Sequence, residues 1–298
     1  MAATNGETAG EPATTEPWQA YMKDELEPDS DGIDQEVLAT LRALLLAPEG
    51  DNQPLAQAAA QRLLDLYHDS YPKEDYGFYL SDDKGACGYL DSISIPVIEL
   101  ATHFRWDSAK HQRLADTMIA VRDGCTEKFI EEDPQLVYNA EGVLMKVDRA
   151  WNACSITTFG GLRRCNTNVN MTALFAKLFG AGLFDGDLKY VLFDLTEAFD
   201  KSPAAEPLRQ GALEACAALW LIYGGSILAQ VTKENESGTS KKQFPDVFNK
   251  QNWKHWAERL AQIAHDAPDD AEFDLKRLAS KAHDRMVEVY PEALEQDK

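Results

Sequence analysis

Three arginines are the side chains of this chain best suited to ligand chemistry. Arg149, Arg163 and Arg164 stand around Gly160-Gly161, ahead of a helix whose apolar pattern starts near Val169. Guanidinium forks hold a carboxylate or phosphate through paired N–H donors. A helix start adds free backbone amides and the positive end of a dipole. With Trp151 before the glycines and Tyr223 at the end of a later apolar run, the candidate ligand-binding set is Arg149, Trp151, Arg163, Arg164 and Tyr223. The alternative is that these arginines pair with Asp148, Asp194 or Glu197 at the edge of the core.

Other groupings carry less. Asp29, Asp31 and Gly32 align with part of an EF-hand loop, but Pro28 follows its first position and Leu38 stands where the bidentate Glu belongs. Asp31 and Asp34 read instead as capping acids for the helix that follows. Asp269, Asp270 and Asp274 imitate a diphosphate-binding acid cluster, yet they open a C-terminal helix, where acids suit the dipole. His103 and His111 flank Arg105-Trp106-Asp107, and His255, His265 and His283 form no i, i+4 metal pair, so all are expected at or near the surface. Cys87 lies in GACG with no activating base beside it. No P-loop, dinucleotide fingerprint, nucleophile elbow or H-E-x-x-H is present. No catalytic residue, metal or cofactor is therefore assigned.

The elements that would position these groups are helical. Ile33, Val37, Leu38, Leu41, Leu44 and Leu45 predict one helix, and Leu55 to Tyr67 a second, before Pro72. Residues 71–92 lack a sustained period and read as a long loop, with Pro96 in the first turn of a short helix to Phe104. Asp107 or Ser108 caps a helix to Arg122, and short helices follow near 125–132 and 136–154. Met171 to Phe179 and Leu188 to Phe199 mark the two clearest helices, a third follows over 204–232, and two more end the chain, on Trp253 to Ile263 and Phe273 to Val289. The expected fold is all-α: a single domain over 33–298 of about ten mainly antiparallel helices. A disordered acidic tail is expected over 1–32 and a mobile linker over 233–245. Trp18, Tyr21 and Met22 fall at helical spacing, so a short piece of the tail can dock on the body.

Charge narrows the function classes. The 298 residues carry a net charge of -21, with ten acids against Lys23 alone in the first 36 and near balance over 151–230. Counterion release needs clustered bases, so general nucleic-acid binding is excluded, and an anionic membrane surface repels the chain. The uncharged run Ala215 to Thr232 has the length of a short membrane span. Its glycines, Ser226 and Gln230 make it a core helix instead. Five widely spaced cysteines without a C-x-x-C pair, and no leader-like start, place the chain in the cytoplasm or nucleus. The sequons at Asn170 and Asn235 are then unglycosylated.

Four segments carry a family likeness: RAWN at 149–152, NMTALFAKL at 170–178, LFDLTEAFD at 192–200 and ALEACAALWLIYGG at 212–225. In them the chain resembles a fungal all-helical family, the domain of unknown function numbered thirty-six thirty-two. The resemblance covers about residues 90–230 and implies fold and fungal origin without an activity. One departure is Leu195-Thr196-Glu197-Ala198-Phe199, where the family pattern places an Arg ahead of the acid. The expected function is a binding or interaction module for an unknown protein or small-molecule partner, built on an aromatic-lined helical core. The alternative is an enzyme of fungal specialised metabolism acting on an apolar molecule with an anionic group.

Overall fold

The computed structural model describes residues 16–25, 32–48, 50–70, 85–124, 162–183, 188–238 and 244–295. Among these are ten α-helices and no strand. They are α1 (Pro17–Glu25), α2 (Gly32–Leu46), α3 (Asn52–Ser70), α4 (Gly85–Thr102), α5 (Ala109–Gly124), α6 (Leu162–Gly180), α7 (Lys189–Leu195), α8 (Pro207–Ser237), α9 (Lys250–Asp266) and α10 (Leu275–Val289). The expected helices near 125–132 and 136–154 lie outside the described residues, as do Asp29, Asp31 and Pro28.

Neighbours in sequence fold back on each other where links are short. Glu36 of α2 meets Arg62 of α3, and Trp253 of α9 stacks 5.9 Å from Tyr290 after α10, so both pairs run antiparallel. The most extensive seams, however, join alternate helices: α3 with α5, α6 with α8, and α8 with α10. Contacts fix their direction. Arg113 reaches Asn52 at the start of α3, while Gly124 lies against Leu64 further along it. Asn168 meets Cys216 early in α6 and α8, and Phe179 meets Trp220 later. Gly211 meets Phe273 and Leu275, and Gly225 meets Arg285. All three seams are parallel, because each intervening helix carries the chain back before the next one starts.

The α6/α8 seam is the centre of the core, and its closeness depends on glycine. A Cβ on Gly180 would overlap the carbonyl oxygen of Tyr223, and one on Gly224 would strike the ring of Phe179. Side chains on this seam, including Leu174, Phe175, Leu178, Cys216, Leu219 and Trp220, are buried. The uncharged stretch of α8 is long and apolar enough to cross a membrane, but 72% of that window is buried inside the fold. Asn170 and Asn235 are also buried and hydrogen-bonded, to Thr102 and Phe248.

Four boundaries differ from the sequence reading. Residues 85–92 are helical, so Pro96 sits inside α4 rather than in its first turn. One lost amide is outweighed by burial of Tyr89, Ile93, Val97 and Leu100 on one face. α6 begins at Leu162 instead of near Val169, and α8 runs on through Ser237, taking in the first part of the expected linker. Pro17–Glu25 of the expected tail is helical, with Trp18 and Met22 buried.

A buried arginine locks the α2–α3 corner onto α5. Arg113 is 1% exposed and donates through Nη1 to the carbonyls of Leu44 and Ala47, through Nη2 to that of Pro48, and through Nε to Asn52 Oδ1. These carbonyls end α2 and would otherwise be orphaned, and their partial negative charge suits a cation.

Candidate functional site

A dense polar cluster forms where the α4–α5 corner rests on α6. Asn170 and Lys177 are two helical turns apart and face the same side. Asn170 Oδ1 accepts the Trp106 amide at 3.0 Å, and its Nδ2 donates to the Thr102 carbonyl at 3.1 Å. Lys177 Nζ donates to the Trp106 carbonyl at 2.8 Å and to His111 Nδ1 at 3.0 Å, and it lies 5.4 Å from the centre of the Tyr223 ring. Ser108 Oγ accepts the His111 amide and caps α5, which fixes the imidazole.

The electrostatics select one proton arrangement. Burial, then the neighbouring Lys177 charge, pushes His111 down to about 3, so the ring is neutral. Burial also pushes Lys177 down to about 8, opposed by Asp116 and Asp107, so the amine is cationic at neutral pH. A cationic amine can only donate, which makes Nδ1 of His111 the acceptor and places the ring proton on Nε2. That proton is then donated to the Asn170 carbonyl, 2.9 Å away. The ammonium has three protons and three destinations: Trp106, His111 and the electron-rich face of Tyr223.

An outer layer of charge closes over this cluster. Asp107 takes both Arg105 and Arg277, and Asp274 takes the same two arginines, giving a four-membered ring of alternating sign. The Arg277 guanidinium lies 5.1 Å over the Trp106 ring. Phe273 and Asp274 both adopt left-handed backbone, φ 64° and 58°, a strained pair for residues with side chains. The two arginines on Asp274 and burial of Phe273 hold it in place. Tyr223 is pushed up to about 12, by burial first and then by Asp107, so its hydroxyl stays protonated. Trp106 is 4% exposed and its Nε1 has no partner among the described residues.

A second buried polar group lies deeper along the α6/α8 seam. Asp194 of α7 is 2% exposed and accepts Trp220 Nε1 at 2.7 Å. Burial pushes its carboxyl up to about 7, against the Trp220 hydrogen bond and with help from Glu197. The backbone then widens into a π-turn over Thr196–Asp200.

The sequence candidates are distributed unevenly. Tyr223 belongs to the cluster. Arg164 is exposed in the first turn of α6, at the opposite end from Gly180 and Tyr223. The side chain of Arg163 lies outside the described residues, as do Arg149, Trp151, the two glycines and the side chain of Cys87. α6 starts at Leu162, so the amides near Val169 are inside a helix and the helix start lies directly after the two glycines in sequence. Asp194 is bound by Trp220 and Glu197 by Lys201. Asp269 pairs with Lys276 and Asp274 with the two arginines. His111 is fully buried instead of near the surface. The sequence reading passes over Lys177 and takes Asp194 only as an arginine partner, although each is a lone charge inside an apolar run, FAKLFG and LFDL.

An all-helical single domain with a sealed lysine–histidine clasp is the class that this geometry defines. The chain belongs to the DUF3632 family, described as protein of unknown function, which it matches over residues 96–260, more than half its length. That span holds the whole clasp, Asp194 and Trp220. No curated protein and no solved structure matches the chain.

Proposed function

We propose that this protein is a binding module: a rigid helical scaffold whose interior is filled by its own side chains and whose surface engages a protein partner. One observation carries the reading. Lys177, the group best suited to covalent or acid–base chemistry, has each of its three protons directed at an internal acceptor. A nucleophilic lysine needs a free amine facing substrate; this one is a clasp. Closure of the α6/α8 seam at Gly180 and Gly224 supports the same view. Buried thiols at Cys165 and Cys216 and buried sequon asparagines fit a cytoplasmic or nuclear protein. The charge of -21 favours a neutral or basic partner over nucleic acid or an anionic membrane.

The second reading, an enzyme acting on an apolar molecule with an anionic group, draws on Lys177 being pushed down to about 8 beside Tyr223 and on the unpartnered Trp106 Nε1. Native mass spectrometry of the chain purified from its own host separates the two. A complex with a second polypeptide is expected. A retained small molecule with no bound protein overturns the scaffold reading.

A further inference from the structure

Helix α1 is attached to the body as a bound peptide would be. It has nine residues, below the length at which a helix holds itself together in water. Among the described residues it forms no extensive seam with another helix. Two of its side chains one turn apart are buried, Trp18 at 2% and Met22 at 1% exposure. Trp18 stacks 5.8 Å from Phe104, and Tyr21 lies 6.1 Å from His103. Lys110 sits 4.9 Å over the Trp18 ring and 5.5 Å over that of Phe104, and it pairs with Glu16 at 3.0 Å. Glu16 also accepts Trp18 Nε1, so one carboxylate joins the body's cation to the anchor ring. Hydrogen bonding from Trp18, then from Lys110, holds this carboxyl below its usual range.

We infer that the seat of α1, formed by Phe104, His103 and Lys110, is a helix-binding groove that exchanges α1 for a partner helix. The occupant defines the recognised chemistry: an aromatic anchor, an unbranched apolar anchor four residues later on the same face, and an acid two residues before the aromatic to meet Lys110. Two-anchor insertion of an amphipathic helix is an established mode of groove recognition. This inference rests on the binding-module reading and gives it a site. α1 then acts as a tethered competitor, present at an effective concentration of about millimolar, and a partner displaces it by matching its anchors.

The test uses the full chain and a fluorescent peptide spanning residues 14–26. A chain carrying Trp18→Ala and Met22→Ala leaves its own groove open. It should bind the peptide saturably, and the unaltered chain should bind about tenfold or more weakly because α1 competes. A peptide carrying Trp18→Ala should not bind. Adding Lys110→Glu to the open chain should shift preference toward a peptide carrying Glu16→Lys. Hydrogen exchange on the unaltered chain provides an arm independent of any variant's folding: α1 amides should exchange through local opening while those of α6 and α8 stay protected. Absence of peptide binding by a folded open chain, or α1 amides that exchange only with global unfolding, overturns the inference. A protein partner seen in native mass spectra without peptide binding would leave the scaffold reading standing and this groove refuted. Peptide binding by the open chain with no protein partner in the host's native mass spectra would overturn the exchange and leave the seat as an internal docking contact of α1.

Discussion

Asp194→Asn should stabilise the protein at alkaline pH. In the native fold the carboxyl is fully enclosed and pushed up to about 7 from an ordinary 3.8. Below pH 3.8 both folded and unfolded chains carry the proton and this residue costs nothing. As pH rises the unfolded chain ionises first, so the native state is progressively penalised until its own carboxyl ionises near pH 7, and the loss is constant above that. At about 1.4 kcal/mol for each tenfold change in affinity, the full penalty is about 4 kcal/mol, of which about 3 kcal/mol develops between pH 5 and 8.5. Asparagine keeps an oxygen for Trp220 Nε1 and mimics the protonated acid. Urea denaturation followed by circular dichroism, on both chains at both pH values, gives a double difference in which general repulsion from the net charge cancels. The variant should gain about 2–4 kcal/mol relative to the parent on going from pH 5 to 8.5. Parallel pH dependence, with a double difference within about 0.5 kcal/mol, would refute the reasoning and mean that Asp194 reaches water in the native state.

Other outcomes follow from the same geometry. Gly180→Ala should cost about 3 kcal/mol, because its Cβ meets a backbone carbonyl that cannot turn aside, and should exceed the cost of Gly224→Ala, which meets a ring. Asn170→Ala orphans the Trp106 amide and the Thr102 carbonyl and should cost about 2–4 kcal/mol in denaturant unfolding. Arg113→Met should cost about 3–5 kcal/mol and loosen the α2–α3 corner first, visible as faster amide exchange at Leu44 to Asn52. The depressed Glu16 carboxyl adds to α1 docking above the usual glutamate range, and that contribution is lost as pH falls through its native value. Trp18 fluorescence should therefore report release of α1 on acidification, and no such change should appear with Glu16→Gln.

The helices were legible because their apolar positions recur at helical spacing, and Gly, Pro and capping residues end them. What periodicity cannot carry is which helices become neighbours. Short links suggested antiparallel pairs, and α2/α3 and α9/α10 obey, but the parallel α6/α8 seam depends on Gly180 and Gly224 admitting close approach. Local propensity also misled at Pro96, where burial of one face of α4 outweighs a missing amide. Of the site, Tyr223 was picked from its aromatic, seam-facing position. Lys177 and Asp194 are buried on two other helices, and the sign to look for is a charge at a core-periodic position in an otherwise apolar stretch. Their partners come from distant segments, Trp106 with His111 and Trp220, so no local pattern identifies them.

The scaffold account turns on whether Lys177 is sealed. Labelling the native chain at pH 8 with a small amine-acylating reagent, and following each lysine by peptide mass spectrometry, tests this directly. If Lys177 is a clasp, it should be acylated far more slowly than exposed lysines such as Lys201 and Lys276, and should catch up only in denaturant. Preferential acylation of Lys177 in the folded chain would contradict the account and identify the amine as the reactive centre of an enzyme.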